Sequence, residues 1–224
     1  EYMARRVRAI VDPARVVVIP NMVDMAAIER TVRTAPNLAD LESPFLLYVG
    51  KLERNKGAHL LPEIMRELVA RSVTGPAELP TLVVAGDGPL RDSIRRDLDA
   101  LGVRMRFLEW IDHDDVLRLM ARCEALVYPS GWGEPLTRVL LEAAACGAVA
   151  VAMPTGGTPD IVEHETTGFL EPTPARMAAR LHELINQPER KGRMAEAARH
   201  YAQKRFSADA VVQRVENLYR QVLG

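Results

Sequence analysis

Short apolar runs alternate with longer amphipathic stretches along most of the chain. Runs typical of buried strands lie at 16–19, 45–49, 81–85, 103–108, 125–128 and 148–152. Most of the stretches between them have apolar residues at helical spacing. Strands that alternate with helices indicate a parallel sheet with right-handed crossovers and helices on both faces. We therefore predict an α/β fold with one doubly wound, Rossmann-like parallel sheet.

The C-terminal part is predicted to be helical from Pro174 onward. Pro188 separates two helices, and Ser207 is placed to cap a last helix that runs through Leu223. Because burying one large apolar side chain stabilises a protein by ~1.5 to 3 kcal/mol, an apolar stripe on that helix has to cover something. We expect the segment 207–224 either to self-associate or to fold onto the protein's own sheet. The stripe consists of Ala208, Val211, Val212, Val215, Leu218, Tyr219, Val222 and Leu223.

The composition is that of an ordinary globular protein without a strong charge bias. The chain has 224 residues, 48% of them hydrophobic, which is enough for one large domain. Its 29 basic and 30 acidic residues give a net charge of −1, so nothing overall argues for nucleic acid or an anionic membrane surface as a partner. No apolar run reaches the ~18 to 20 residues of a membrane span, and no signal-like segment leads the chain. The chain starts at Glu1 without Met, which suggests a fragment.

The cysteines and histidines give no support for a metal site. Cys123 and Cys146 are the two cysteines, and neither belongs to a Cys-x-x-Cys pair or lies near clustered histidines. This usage fits a reducing cytoplasm, which is the predicted location. The five histidines, including His113 and His164, have no partners at ligand spacing, so we expect them to be structural or solvent-exposed. No metal and no cofactor are predicted.

The segment 125–151 is the most informative part of the sequence. A strand is followed by a glycine-rich loop and by a helix from Thr137 to Cys146, which ends at Gly147. The free N–H groups and dipole of the first helical turn attract an anion such as phosphate. Glu134 and Glu142 are eight positions apart, roughly 12 Å along a helix. Two such carboxylates suit the sugar hydroxyls on both sides of a phosphate, as in a nucleotide sugar; otherwise Glu134 only favours the helix start and Glu142 is solvated.

A basic loop follows the strand at 45–49. Lys51, Arg54 and Lys56 lie between Gly50 and Gly57. Lysines on such a loop can reach phosphates at the carboxyl edge of a parallel sheet, although a basic loop can also be a solvated turn. No segment has the spacing of a nucleoside triphosphatase phosphate loop, so we exclude that class.

Two further glycine turns follow later strands. The turn Gly86-Asp87-Gly88-Pro89 is predicted to be architectural, because a dinucleotide fingerprint would need a third glycine at Arg91. The segment 155–160, T-G-G-T-P-D, places Thr158 at an N-cap and Pro159 at the first helical position. Its glycines serve either a close approach to a ligand or a tight turn, and the sequence favours neither.

The stretch P-S-G-W-G-E-P-L-T-R-V-L-L-E-A-A-A-C-G-A-V-A-V resembles the donor-site signature of family 4 glycosyltransferases, which are retaining enzymes of the GT-B fold. The segments V-V-V-I-P-N-M-V-D, G-K-L-E-R-N-K-G, G-D-G-P and T-G-G-T-P-D resemble other motifs of this family, from about Val16 to the C-terminus. The resemblance implies one half of a GT-B fold, the C-terminal, donor-binding domain. The sequence departs from the family pattern at Lys51, where the family has Arg, at Thr137 and Met22, where it usually has Gly, and at Glu109, where Gly is frequent.

The resemblance also implies a set of site residues. Lys51 and Lys56 hold the donor diphosphate, Glu134 contacts the transferred sugar, and Glu142 contacts the ribose. The residues implied as catalytic are Glu134, Lys51 and Lys56. The residues implied for donor binding are Gly50, Lys51, Lys56, Trp110, Ile111, Glu134, Leu136, Thr137, Arg138, Val139 and Glu142, with Trp110 and Ile111 next to the nucleobase unless Trp110 is a core residue.

The implied function is transfer of a hexose from a nucleotide diphosphate sugar, such as a UDP or GDP sugar, to an acceptor with retention of configuration. The expected division is an N-terminal segment 1–15, a nucleotide-sugar-binding domain 16–206, and a helix 207–224 that crosses back to a missing N-terminal acceptor domain. Any membrane contact is also expected to be made by that missing domain. This fragment alone is expected to be inactive. The alternatives are a nucleotide-sugar epimerase of GT-B fold and a non-catalytic nucleotide-sugar-binding module.

Overall fold

The computed structural model describes residues 1–34, 41 and 44–223. Within these residues one parallel sheet of six strands has the order β3-β2-β1-β4-β5-β6. The predicted α/β, Rossmann-like fold is confirmed. The strands are β1 (Phe45–Val49), β2 (Thr81–Ala85), β3 (Met105–Glu109), β4 (Ala125–Tyr128), β5 (Ala150–Ala152) and β6 (Gly168–Leu170).

Helices connect most of the strands and cover both faces of the sheet. The helices whose bounds the sequence predicted, at 137–146 and from Pro174 onward, begin and end within two residues of those bounds. The segments near 13–15, 58–60, 76–78 and 158–160 form single short 3-10 turns. The α-helices are α1 (Tyr2–Val7), α2 (Met25–Val32), α3 (Leu61–Val69), α4 (Arg91–Ala100), α5 (His113–Met120), α6 (Arg138–Cys146), α7 (Pro174–Asn186), α8 (Pro188–Phe206) and α9 (Ala208–Leu223).

The alternation of side chains along the central strand divides the core into two layers. Phe45 and Leu47 of β1 belong to the cluster that also contains buried residues of α5, α6 and α8. Leu46 and Tyr48 point to the other face and belong to the cluster with α3, α4 and α7. All four side chains are at most 1% exposed, as expected for a parallel strand buried on both faces.

The predicted strand at 16–19 is wrong, and one strand was missed. Residues 16–19 have no sheet partner, and Val17 is 56% exposed. An apolar run cannot by itself distinguish a strand from an extended connection, because a strand also needs a neighbouring edge. The edge of the sheet next to β5 is instead formed by β6. Its three residues pair in order with those of β5, beginning with Gly168 opposite Ala150.

The last two helices follow the predicted boundaries, but α9 does not cover the sheet. Ser207 caps α9, with the Ala210 N–H donating to its hydroxyl at 3.3 Å. The α9 helix packs beside α8, and of its apolar stripe only Val211 is buried, while Val222 is 72% exposed. The predicted folding of α9 onto the sheet is therefore wrong, and self-association stays a prediction.

The N-cap predicted at Thr158 is shifted by one residue. The short turn at 158–160 is preceded by Gly157 as its N-cap, so Thr158 is its first residue and Pro159 its second. The Thr158 side chain makes no capping bond and is buried. The backbone at Gly157 lies against a neighbouring loop with no room for a side chain, which accounts for a glycine at this position.

The sheet order places β1 directly beside β4, with Leu46 opposite Ala125. Connections from β1 run to one side of the sheet and connections from β4 to the other, so a crevice opens at the carboxyl ends of these two strands. The loops 50–57 and 129–137 leave the sheet at this point. The basic loop and the glycine-rich loop singled out in the sequence are therefore neighbours in space.

A buried carboxylate lies at the end of the edge strand β6. The Glu171 side chain is 1% exposed and accepts hydrogen bonds from Arg176 Nε at 2.6 Å and Arg180 Nε at 2.8 Å. The Arg180 guanidinium also lies over the Phe169 ring, 4.7 Å from its centroid. Burial raises the pKa of Glu171, but the hydrogen bonds from Arg180 and Arg176 and the positive charges of these two side chains together lower it by more, so the pKa is lowered overall.

We expect Glu171→Gln to reduce the free energy of unfolding by about 1 to 3 kcal/mol at pH 7, because two charge-assisted hydrogen bonds lose their anion. A lowered pKa in the folded state stabilises the fold above the unfolded pKa of about 4.3, and this contribution is lost as the pH falls through the folded pKa. Urea unfolding of both proteins at pH 7 and below pH 4 should show the difference shrinking at acid pH. Exposed Glu196→Gln is the matched control, and a constant difference at both pH values would contradict the prediction.

Candidate functional site

The basic loop after β1 is held in place by a buried tyrosine. Tyr48 Oη donates to the carbonyl of Lys51 at 2.9 Å and lies 3.4 Å from the carbonyl of Lys56. Burial raises the pKa of Tyr48 well above its ordinary value, so the hydroxyl stays a donor. Both lysines are thereby fixed through their backbone, and only their side chains can change direction when a ligand binds.

The Gly-Asp-Gly-Pro turn after β2 supports the basic loop from its other side. The Leu52 N–H donates to the carbonyl of Asp87 at 3.0 Å, and Gly50 N–H donates to the carbonyl of Ala85 at 3.0 Å. A Cβ atom on Gly86 would lie 2.1 Å from the Gly50 oxygen. The two loops fit only because Gly86 has no side chain, so the turn has the architectural role predicted for it.

The loop before α6 is clamped by the second glycine turn. Gly157 N–H donates to the carbonyl of Glu134 at 2.7 Å, and Thr155 Oγ1 donates to the carbonyl of Ser130 at 2.6 Å. A Cβ atom on Gly157 would lie 1.9 Å from the Pro135 oxygen. Close packing against the Glu134 loop therefore accounts for Gly157.

Glu134 lies in this loop and not on the helix, which begins at Arg138. The predicted helical spacing between Glu134 and Glu142 is therefore wrong, because Pro135 and the clamped loop delay the helix start. The Glu134 carboxylate forms an ion pair with the Lys56 ammonium. Its other oxygen accepts from Thr137 Oγ1 at 3.3 Å.

Glu142 lies in the middle of α6 with a side chain that is only 8% exposed. Its Oε1 atom lies 3.1 Å from His113 Nε2 and 3.3 Å from Arg138 Nη2. His113 was expected to be structural or solvent-exposed. Its side chain is 59% exposed, as expected, but its ring also pairs with Glu142, so it belongs to the site. A sequence signal existed, since His113 starts α5 two residues after Ile111, but pairing with Glu142 depends on the sheet order.

Two adjoining cavities lie at the carboxyl edge of the sheet, and they share Val49, Gly50 and Val139. The Glu142 cavity, of about 330 Å³, is also lined by Lys51, Ala85, Gly86, Asp87, Glu109, Trp110, Ile111, His113, Val116 and Glu142. The Glu134 cavity, of about 230 Å³, is also lined by Lys56, Tyr128, Glu134, Leu136, Thr137 and Arg138. Every residue predicted for donor binding lines one of these two cavities.

The residues at the end of β3 form the outer wall of the Glu142 cavity. Trp110 is 79% exposed there, so it is not a core residue. Glu109 has φ +51°, a left-handed conformation that favours glycine, which agrees with the frequent glycine of the resembling family. Arg91 Nη1 donates to Glu109 Oε1 at 2.6 Å and holds it in this position.

The charges around the two cavities suit an anion flanked by hydroxyl groups. Lys51 lines one cavity and Lys56 the other, and the first turn of α6, which starts at Arg138, faces the space between them. Free N–H groups and the helix dipole at such a turn add to the positive potential. Glu134 and Glu142 provide acceptors on either side.

Among residues 1–34, 41 and 44–223, no three His, Cys, Asp or Glu side chains come together in a way that could hold a metal ion. The same part of the chain contains no helix that is both long and apolar enough to cross a membrane.

A sequence model of the glycosyl transferases group 1 matches residues 30–201. The chain belongs to the glycosyl transferases group 1. It is 33% identical over 221 residues to glycogen synthase of Mycobacterium tuberculosis, covering 92% of this chain and 48% of that protein. It is 30% identical over 186 residues to α-D-kanosaminyltransferase of Streptomyces kanamyceticus, covering 81% of this chain and 46% of the relative.

Solved structures share the fold of this group 1 chain. The crystal structure of Anabaena HepE in complex with UDP matches with a TM-score of 0.78 and 23% identity, over 96% of this chain and 60% of that chain. A glycosyltransferase from Rickettsia africae matches with a TM-score of 0.79 and 18% identity, over 95% and 59% of the two chains. The group 1 chain spans about half the length of the curated relatives it matches.

The contact between the two site loops of this group 1 chain is testable. Gly57 has φ +72°, and a Cβ atom there would lie 1.9 Å from the Pro129 oxygen, whereas Gly102 has φ +67° and a Cβ atom there would meet only the Pro76 side chain, at 3.5 Å. Gly102→Ala should therefore cost only the left-handed strain, about 1 to 2 kcal/mol. Gly57→Ala should cost about 2 to 5 kcal/mol, since overpacking adds to that strain.

Urea unfolding of the two variants measures both costs directly. Because the backbone strain is common to both positions, the excess for Gly57→Ala reports the contact with Pro129. Equal losses in the two variants would show that the loops can separate without cost.

Proposed function

We propose that this chain is the donor-binding half of a retaining glycosyltransferase that moves a sugar, a hexose, from a nucleoside diphosphate to an acceptor. The observation that carries the proposal is the placing of Lys56, Glu134 and Glu142 around the start of α6. Family membership supports sugar transfer, and relatives of the same fold have been crystallised with UDP and with UDP-glucose.

Lys51, Lys56 and the N–H groups from Leu136 to Val139 are proposed to bind the diphosphate. The leaving diphosphate gains negative charge as the sugar departs, and donors that are already aligned stabilise this charge without reorganisation. Tyr48 and the Gly86 turn hold the basic loop, so its lysines act from a fixed backbone. This charge also makes a divalent metal unnecessary in the proposed mechanism.

The Glu142 cavity is proposed to hold the nucleoside. Glu142 would accept hydrogen bonds from the two ribose hydroxyls, with His113 beside it. Trp110 and Ile111 line the same cavity beyond them and would lie next to the base. A buried carboxylate is a strong acceptor for paired hydroxyls, which supports placing the ribose there.

Glu134 is proposed to contact the sugar that is transferred. It lies in the adjoining cavity, on the other side of the α6 start from Glu142. With Lys51 and Lys56 it forms the set proposed to act in catalysis: the lysines on the leaving group and Glu134 on the sugar. None of the three needs to act as a nucleophile in this scheme.

The acceptor is proposed to bind to a further domain that packs on this one. The half-length match to relatives supports this, as do the exposed apolar residues of 16–19 and of α9 in the segment 207–224. A third cavity of about 490 Å³ lies between these segments and Leu136. In this proposal, segment 1–15 leads into the domain 16–206, and the chain alone is inactive.

Family membership favours transfer over the epimerase alternative, which would act on a nucleotide sugar without an acceptor. A non-catalytic binding module is the second candidate, because it would keep Lys56 and Glu142 in the same positions. Turnover of a nucleotide sugar by the longer protein, with an acceptor present, separates the enzyme from the module.

We expect this chain to bind UDP, GDP or ADP weakly without a divalent metal, because the lysines and the α6 start provide the positive charge. Isothermal calorimetry with each nucleotide, in EDTA and then in magnesium, measures this. If none of the three binds the folded chain at millimolar concentration, the donor-site proposal is wrong. A strict requirement for magnesium would also contradict it.

We expect Lys56→Ala and Glu142→Ala each to weaken binding of the preferred nucleotide by about 1 to 3 kcal/mol, the range of a charge-assisted hydrogen bond. Lys204→Ala and Glu196→Ala, two exposed positions on α8, are the matched controls. Circular dichroism establishes that each variant is folded. Unchanged affinity in either site variant would remove that residue from the proposed site.

A further inference from the structure

The lysine proposed to bind the diphosphate already has an anionic partner within the protein. The Lys56 ammonium is paired with the Glu134 carboxylate, and the side chains are 29% and 23% exposed. Under the proposed function, Lys56 binds phosphate and Glu134 binds the sugar. A ligand whose phosphate binds Lys56 therefore has to separate this lysine from Glu134.

We propose that Glu134 competes with the diphosphate for Lys56 and so makes the site selective for a sugar-bearing nucleotide over the bare nucleoside diphosphate. This inference rests on the proposed function of the site. A nucleotide sugar replaces both halves of the ion pair, since its phosphate binds Lys56 and its hydroxyls donate to Glu134. A bare nucleoside diphosphate replaces only one half.

The contacts of Glu134 hold its carboxylate in the cavity, where it competes with the phosphate for Lys56. Its second oxygen accepts from Thr137 Oγ1 at 3.3 Å, and Thr137 is itself buried beside Tyr128 Oη at 3.4 Å. Its backbone carbonyl is held by Gly157 N–H at 2.7 Å. The carboxylate therefore stays in the cavity when Lys56 turns to a phosphate.

The neighbouring cation does not take over the role of Lys56. Arg138 directs Nη2 toward Glu142 at 3.3 Å, and its side chain is 75% exposed. Once a bare diphosphate binds, Glu134 and the phosphates are like charges in one cavity, and their repulsion weakens the binding of the nucleotide. The same repulsion favours release of the nucleotide after its sugar has left.

Glu134→Gln is the direct test, because it removes the charge and keeps the shape. Calorimetry on this chain compares wild type and variant, using the tightest binder among UDP, GDP and ADP and its conjugates with glucose, mannose and N-acetylglucosamine. We expect the bare nucleotide to bind about two- to fivefold tighter to the variant, the range of a partly exposed ion pair. The preference for the best conjugate should fall by more than this factor.

Three further proteins separate the ion pair from other effects. Glu29→Gln makes the same change of net charge on α2 and should leave nucleotide affinity unchanged. Glu134→Gln should tighten binding less in a Lys56→Ala background than in the wild-type background, because the competition needs both partners and only the like-charge repulsion between Glu134 and the phosphates remains. If Glu134→Gln does not fold, Glu134→Ala replaces it and should also bind the bare nucleotide more tightly than wild type.

The outcomes distinguish this inference from the function on which it rests. If wild type binds a nucleotide and neither folded Glu134 variant binds it more tightly, the competition is disproved and the donor site stands. If wild type binds none of the three nucleotides, the proposed function itself is wrong. Tightening that is equally large without Lys56 would also overturn the inference.

Discussion

The candidate site depends on the close contact between the loops that follow β1 and β4. Sheet order brings the two strands together, and the missing side chain of Gly57 lets its backbone lie against Pro129. The basic residues and the start of α6 then face the same crevice. Without this contact, Lys56 and Glu134 would belong to separate surfaces. Backbone packing, more than any single side chain, defines the geometry.

The second constraint on this crevice is that each of its two carboxylates needs a positively charged or hydrogen-bonding partner. Each acid has cationic or imidazole partners on one side: Lys56 for Glu134, and His113 with Arg138 for Glu142. A buried carboxylate such as Glu142 would be costly without a partner, and the protein provides partners from its own side chains. A ligand then binds by replacing protein contacts. The protein's own ion pairs thus enter into the selectivity of the site.

Local sequence patterns predicted most of the fold and the positions of the site loops, because strand runs and glycine turns are local features. They did not predict what depends on neighbours in space. The run at 16–19 is apolar enough for a strand but has no adjacent edge, whereas three residues at the end of the sheet form β6. His113 gave little signal for the same reason, since its partner Glu142 lies 29 positions away in the chain.

Two of the departures from the resembling family, Lys51 and Thr137, differ in their physical effect. Lys51 keeps the charge but loses the planar fork of a guanidinium, so it would offer a point charge to the diphosphate of the proposed donor. Thr137 adds a hydroxyl that glycine cannot provide, and this hydroxyl binds Glu134. In the proposed site, weaker binding of the phosphate by Lys51 thus accompanies firmer positioning of Glu134, the acid proposed to contact the sugar. Because Glu134 also pairs with Lys56, fixing it more firmly strengthens its competition with the phosphate. In the proposed site, both departures therefore shift recognition from the diphosphate toward the sugar.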